Sequence, residues 1–135
     1  LDILREKVGT KIPKIGCERG DCGSCTIIMD GRSFRSCLVL AIESDVHEVL
    51  TVEGISYEGI SEMKELFINN NAFQCGFCAP GIVLAATELL DNNPNPNRHD
   101  VQEALAGNLC RCTGYEPIIE AVLAAGSDPT KGESP

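Results

Sequence analysis

Apolar positions 1, 3, 4 and 8 open the chain at helical spacing, and Gly9 ends that run. Residues 11–25 lose the periodicity and read as a loop rich in glycine and charge. Thr26, Ile27, Ile28 and Met29 form a short apolar strand. Asp30-Gly31 is a two-residue hairpin signal, which returns a second strand over 33–40 with Cys37 near its middle. A further short strand is predicted over 47–52, followed by a connector over 54–59. Beyond residue 60 the period changes to that of helices. Residues 61–69 place Met63, Leu66 and Phe67 on one face, with Ser61 as N-cap. Residues 80–90 open on Pro80 in a first turn, where the missing N–H costs nothing. Residues 92–97 are a loop, residues 100–106 a short helix capped by Asp100, and residues 116–125 a last helix with Pro117 in its first turn.

The pattern predicts an α+β first half, residues 1–57, followed by an all-helical second half, residues 58–126, and a polar tail over 127–135. Two units this small have little core each and call for a staple such as a metal or a partner. The core rests on Leu, Ile, Val and Ala, since the 135 residues include no Trp and only six Phe and Tyr. Hydrophobic residues make up 43% of the chain, which argues against disorder. Eleven Lys and Arg against twenty Asp and Glu give a formal charge of −9, which argues against a nucleic-acid binder. No apolar run approaches the roughly 20 residues that span a bilayer, so no membrane span is expected. The first residue is Leu1, so a missing leader says little.

Eight cysteines set the chemistry. Cys17, Cys22, Cys25 and Cys37 follow the spacing Cys-x4-Cys-x2-Cys with a fourth Cys downstream, the plant-type 2Fe–2S ferredoxin pattern. Three thiolates from one loop must wrap a compact inorganic core. Gly16, Gly20 and Gly23 allow that approach and leave backbone N–H groups free to point at sulfur. Structural zinc sites usually show two short Cys-x2–4-Cys knuckles instead.

Cys75, Cys78, Cys110 and Cys112 read Cys-x2-Cys and, far downstream, Cys-x-Cys. A Cys-x2-Cys at a helix start is also the thioredoxin motif, but the setting is helical rather than βαβ, and the second pair would have no role. From the residues alone this set suits either a second iron–sulfur cluster or zinc. Helix N-termini after Cys78 and Cys112 would offer N–H groups to an anionic cluster.

Three stretches, GCERGDCGSCT (16–26), QCGFCAPG (74–81) and GNLCRCTGY (107–115), resemble those of the iron–sulfur subunit of the xanthine oxidase family of molybdenum hydroxylases and dehydrogenases. The resemblance covers residues 1–125. It implies a plant-ferredoxin-like β-grasp domain followed by a four-helix-bundle 2Fe–2S domain. It implies two 2Fe–2S clusters, with molybdopterin in a large partner subunit and FAD in a medium one, in a cytoplasmic dimer of heterotrimers. Cys75, Cys78, Cys110 and Cys112 then hold the molybdenum-proximal cluster, and Cys17, Cys22, Cys25 and Cys37 the FAD-proximal one. Gln74 matches the glutamine that hydrogen-bonds the molybdopterin, against the plainer reading of a solvated amide. The sequence departs from the family in two places. It lacks the β-hairpin that normally precedes LDILRE, which suggests a truncated sequence because the remaining sheet would have exposed edges. Lys11-Ile12-Pro13 also replaces the usual Thr- and Gly-rich stretch.

His47 and His99 are expected at the surface, because eight cysteines already fill two clusters. Arg111, between two ligands, is a candidate either for offsetting cluster charge or for a plain ion pair. Ile82, Leu84 and Leu89 are expected in the core. No Ser-His-Asp set, paired catalytic carboxylates, phosphate loop or dinucleotide fingerprint occurs, so the expected role is electron transfer within an enzyme whose substrate pocket lies elsewhere.

Overall fold

The computed structural model describes residues 1–55 and 57–126, with only the backbone of 57–62. The predicted tail over 127–135 lies outside the described residues.

The first half is built on a three-stranded antiparallel sheet in the order β2-β1-β3, with β1 Thr26–Met29, β2 Arg32–Arg35 and β3 Val49–Leu50. Thr26 pairs with Arg35 and Met29 with Arg32 across the hairpin, while Ile28 pairs with Leu50 on the other side. Asp30 and Gly31 both take positive φ, 48° and 80°, as a tight two-residue turn of this hand requires. All four residues of β1 are buried, since it is the central strand and the helix over Ala79–Asn92 packs against it. The predicted second strand is too long. The amide of Leu38 donates to the Arg35 carbonyl at 2.8 Å and turns the chain, so Cys37 lies beyond β2 and not within it. The strand expected over 47–52 shrinks to two residues, which pair only with Ile28 and Met29 of β1. The opening helix forms over Leu4–Val8 with wide π-type turns and stops at Gly9, φ 90°.

The helices are α1 Tyr57–Asn69, α2 Ala79–Asn92, α3 Arg98–Leu105 and α4 Glu116–Gly126. They share one core of Met63, Phe67, Ile82, Val101, Leu105, Ile118 and Val122 with small alanines between them. Ser61 lies inside α1 and is not its cap, because the helix starts at Tyr57. Leu66 is only half-buried, whereas Met63 and Phe67 are buried. Ile82 and Leu84 are buried and Leu89 packs partly against the core. Asp100 is likewise not the cap of α3. Asn97 caps it, accepting from the amides of His99 and Asp100, and Asp100 reciprocates by accepting from Asn97 N at 2.9 Å. Arg98 is bidentate to Glu116 and also meets Glu120, tying the start of α3 to α4 at the surface. Among the described residues no helix is long and apolar enough to cross a membrane.

Candidate metal centre

The loop over 14–25 folds back on itself, with Lys14 N donating to Ser24 O at 2.9 Å. Glu18, Gly20 and Gly23 take positive φ, so the chain reverses often enough to turn its thiols inward. Cys17, Cys22 and Cys37 are half-buried and Cys25 is buried. The second set comes from two places. Gly76, at φ 76°, bends the chain between Cys75 and Cys78, and Cys78 is the N-cap of α2. Cys110 and Cys112 sit in the turn before α4, which begins only at Glu116. The helix expected after Cys112 thus starts where the sequence placed it, with three residues between that cysteine and Glu116. The backbone there bends through Gly114 and through Tyr115 at φ 70° before the helix starts.

All eight cysteines are free thiols. They meet in four pairs, Cys17 with Cys22, Cys25 with Cys37, Cys75 with Cys112 and Cys78 with Cys110. The Sγ atoms of Cys75 and Cys112 are 3.5 Å apart. Among the described residues no three metal-ligating side chains gather around one point. That pairing suits a binuclear group with two thiolates to each metal better than a single zinc held by four converging thiolates. An all-thiol donor set is also the soft set that iron–sulfur clusters take.

Backbone amides face the sulfurs. Cys22 N lies 3.3 Å from Cys17 Sγ. The amides of Arg19, first, and then Cys22 lower the Cys17 thiol to about 6. Of the three glycines expected to aim an N–H at sulfur, Gly20 does so, toward Cys37. Burial pushes Cys78 up to about 12, with the Cys110 thiol adding to it. Burial also acts most strongly on Cys110, upward, but the Thr113 hydroxyl and the amides of Cys112 and Thr113 bring it below the ordinary thiol value. Within the Cys75–Cys112 pair, Cys75 ionises first because the Phe77 amide and the Cys112 thiol favour its thiolate. Each set thus contains a thiol disposed to ionise, the form that binds metal.

Exposure differs within the second set. Cys75 and Cys112 are exposed, and Cys78 is buried. Gln74 is exposed beside that outer pair, its Nε2 donating to the Cys112 carbonyl at 3.2 Å. Arg111 is exposed and has no hydrogen bond or ion pair among the described residues. His47 and His99 are exposed, beside Asp30 and Glu103 respectively.

Sequence reasoning missed Asn108, Arg35 and Tyr115. Asn108 is 1% exposed. Its Nδ2 donates to Gly23 O at 3.1 Å and to Thr26 Oγ1 at 3.2 Å, and Arg35 donates to its Oδ1 at 3.2 Å. The only hint in the sequence was an amide two residues before the Cys-x-Cys pair.

A 2Fe-2S binding domain model matches residues 51–123, more than half of the chain. The nicotine 6-hydroxylase small subunit of Paenarthrobacter nicotinovorans is 54% identical over 83% of this chain and 68% of its own length. The nicotinate dehydrogenase small FeS subunit of Eubacterium barkeri is 44% identical over 93% of this chain and 80% of its own. The crystal structure of quinoline 2-oxidoreductase from Pseudomonas putida 86 superposes with a TM-score of 0.90 at 47% identity, covering 98% of this chain and 84% of that one. The chain belongs to the 2Fe–2S-binding iron–sulfur subunits of the xanthine oxidase family of molybdenum-dependent oxidoreductases, in which it serves electron transfer and not catalysis.

Proposed function

We propose that the chain carries two 2Fe–2S clusters and relays electrons between two partner subunits. Cys17, Cys22, Cys25 and Cys37 hold one cluster in a ferredoxin-like β-grasp domain over 1–57. Cys75, Cys78, Cys110 and Cys112 hold the other in a four-helix-bundle domain over 58–126. The clusters, when bound, supply one-electron acceptors between molybdopterin in a large subunit and FAD in a medium subunit. The observation that carries this reading is the sorting of eight thiols into two sets of two pairs. The same arrangement favours a direction. The Cys75–Cys112 pair is exposed together with Gln74 and with Phe77, which is 47% exposed, so this edge suits docking against the large subunit. Gln74 then has its amide oxygen available for the pterin, while its nitrogen holds Cys112 O. The set built on the loop over 17–37 is left to face FAD.

Anaerobically purified chain is expected to bind about four iron and four sulfide, two of each per four-thiolate site. Low-temperature electron paramagnetic resonance of the reduced chain is expected to show two different signals, since the two sets differ in amide contacts and exposure. Stoichiometric zinc, or a single signal with half the iron, would overturn the two-cluster reading.

A further inference from the structure

Three glycines from separate parts of the chain meet at one point between the two cysteine sets. A Cβ on Gly81, in the first turn of α2, would lie 2.1 Å from the Gly23 carbonyl oxygen. A Cβ on Gly23 would lie 2.4 Å from the Gly107 carbonyl oxygen, and one on Gly107 would meet the Arg35 guanidinium. Backbone therefore touches backbone where the first cysteine loop, α2 and the second cysteine turn come together. At this contact Leu109 N donates to Cys22 O at 2.9 Å. Cys22 belongs to the first set and Leu109 immediately precedes Cys110 of the second, so this one hydrogen bond joins a cysteine of the first set to the neighbour of a cysteine of the second.

We infer that Asn108 is the positioning residue that holds the two cysteine loops in register, with Arg35 as its brace. This rests on the two-cluster reading above. Asn108 is buried and reaches across 85 residues to Gly23 O and across 82 to Thr26 Oγ1. Its Oδ1 and the neighbouring Gly107 O both accept from the same Arg35 nitrogen, at 3.2 and 2.7 Å. The other Arg35 nitrogen reaches Thr26 Oγ1 at 2.9 Å, closing the network on β1. Every polar atom of the Asn108 side chain is thereby paired across the junction, and none of these hydrogen bonds goes to a cysteine sulfur. Their role is to fix the Leu109–Cys22 contact, on which the separation of the two thiolate sets depends. Loss of Asn108 leaves Gly23 O to its Thr26 donors and leaves the junction held by Leu109 N on Cys22 O and Arg35 on Gly107 O alone.

The test uses the full chain loaded with iron and sulfide, comparing the native sequence with Asn108→Ala and Arg35→Lys. The native chain should show mutual splitting of its two paramagnetic signals when both clusters are reduced. Asn108→Ala should keep about four iron and both signals, consistent with two four-thiolate sites, but with a narrowed splitting. Hydrogen exchange at Leu109 should speed up about tenfold, the factor set by losing roughly one net hydrogen bond, with exchange in β1 unchanged. Arg35→Lys keeps the charge at a half-exposed position and should narrow the splitting less, in the same direction. Unchanged splitting and unchanged Leu109 exchange in both variants, at full iron content, would overturn the inference. If Asn108→Ala fails to load, Arg35→Lys decides: narrowed splitting supports the inference and unchanged splitting overturns it. A native chain with half the iron and one signal would sink the two-cluster reading instead, and the exchange of Leu109 would still test the register.

Discussion

The phenolic oxygen of Tyr115 lies 2.8 Å from the amide nitrogen of Cys110 and 2.9 Å from the carbonyl oxygen of Asn108. One hydroxyl thus accepts from the cysteine-bearing turn and donates back to it, closing the loop over 108–115. The same residue sits at φ 70°, a region that costs a non-glycine residue about 1–2 kcal/mol. The bridge holds it there.

Tyr115→Phe keeps the ring and removes the bridge. A half-buried amide and a half-buried carbonyl then lack partners, which costs about 1–3 kcal/mol each where water cannot replace the hydroxyl. The loss falls on the turn carrying Cys110 and Cys112. Iron release to a chelator should therefore speed up for one of the two spectroscopic signals and stay unchanged for the other. Equal acceleration of both signals would contradict the local role of the hydroxyl.

Gly81→Ala tests the close approach at the start of α2. Alanine is a better helix former than glycine by about 1 kcal/mol. The new methyl would nevertheless face the Gly23 carbonyl oxygen, backbone that is itself held by Thr26 N, Thr26 Oγ1 and Asn108 Nδ2. Overpacking typically costs about 1–3 kcal/mol and occasionally more, and here the neighbour cannot give way freely, so the clash wins. Thermal unfolding of the loaded chain should show a clear fall in midpoint. Gly76→Ala is the comparison. A Cβ there meets open space, but the residue is at φ 76°, so it loses only the left-handed backbone cost of about 1–2 kcal/mol.

The helical half was legible because its signals are local. Apolar spacing, Pro80 and Pro117 in first turns, and Asp30-Gly31 at the hairpin each act within a few residues. Misplaced boundaries came from reading one residue of a reciprocal device. Asp100 looked like a cap because it accepts at a helix start, yet the capping box also needs Asn97 three residues earlier. The second strand was drawn too long because Ser36 and Cys37 continue an extended-looking pattern. What ends it is the turn closed by Leu38 N on Arg35 O at 2.8 Å, while Ser36 Oγ donates to Cys25 O, just ahead of β1, at 2.7 Å. The spacing and resemblance sort the cysteines into two sets, but not into pairs, since Cys75 meets Cys112 from 37 residues away. Asn108 and Arg35 were invisible for the same reason. The partners of Asn108 lie 73 to 85 residues off and those of Arg35 across the junction 72 and 73, and a lone Asn or Arg in sequence carries no such signal.

Asp30 carries a prediction about pH. Its carboxylate faces His47 Nδ1 and accepts from Glu48 N at 3.0 Å, joining the hairpin turn to the segment before β3. The His47 contact first, then the Glu48 amide, hold its pKa below the usual carboxylate range. The unfolded chain therefore binds this proton more readily than the folded one. The stabilisation is complete above the ordinary Asp value of about 3.9 and is lost as pH falls through the lower folded value. A carbon NMR titration of the Asp30 carboxyl should show its inflection below that of a free Asp, and His47→Ala should move it back upward. An inflection at or above the ordinary value in the native chain would refute the pairing.

Gln74 separates charge from hydrogen bonding at the exposed edge of the second set. Its Nε2 donates to the Cys112 carbonyl, so it ties the strand of chain before Cys75 to the turn after Cys110. Gln74→Ala removes that tie and adds no charge. Gln74→Glu removes it too, because two oxygens then face each other, and places a negative charge beside the Cys75–Cys112 pair. A cluster held there gains negative charge on reduction, so a nearby carboxylate makes reduction harder. Repulsion of order 1 kcal/mol between unit charges in water corresponds to about 40 mV for one electron. Redox titration of the loaded chain should therefore move the midpoint of one signal down in Gln74→Glu and move it less in Gln74→Ala, with the other signal fixed in both. The site is exposed, so salt screens the charge: raising ionic strength should shrink the Glu shift toward the Ala shift and leave the Ala shift unchanged. In the assembled enzyme, Gln74→Ala should also slow reduction of that signal by substrate, because the amide that would face the pterin is gone. Equal movement of both signals, or a Glu shift indifferent to salt, would show that Gln74 does not sit against one cluster as its contact with Cys112 indicates.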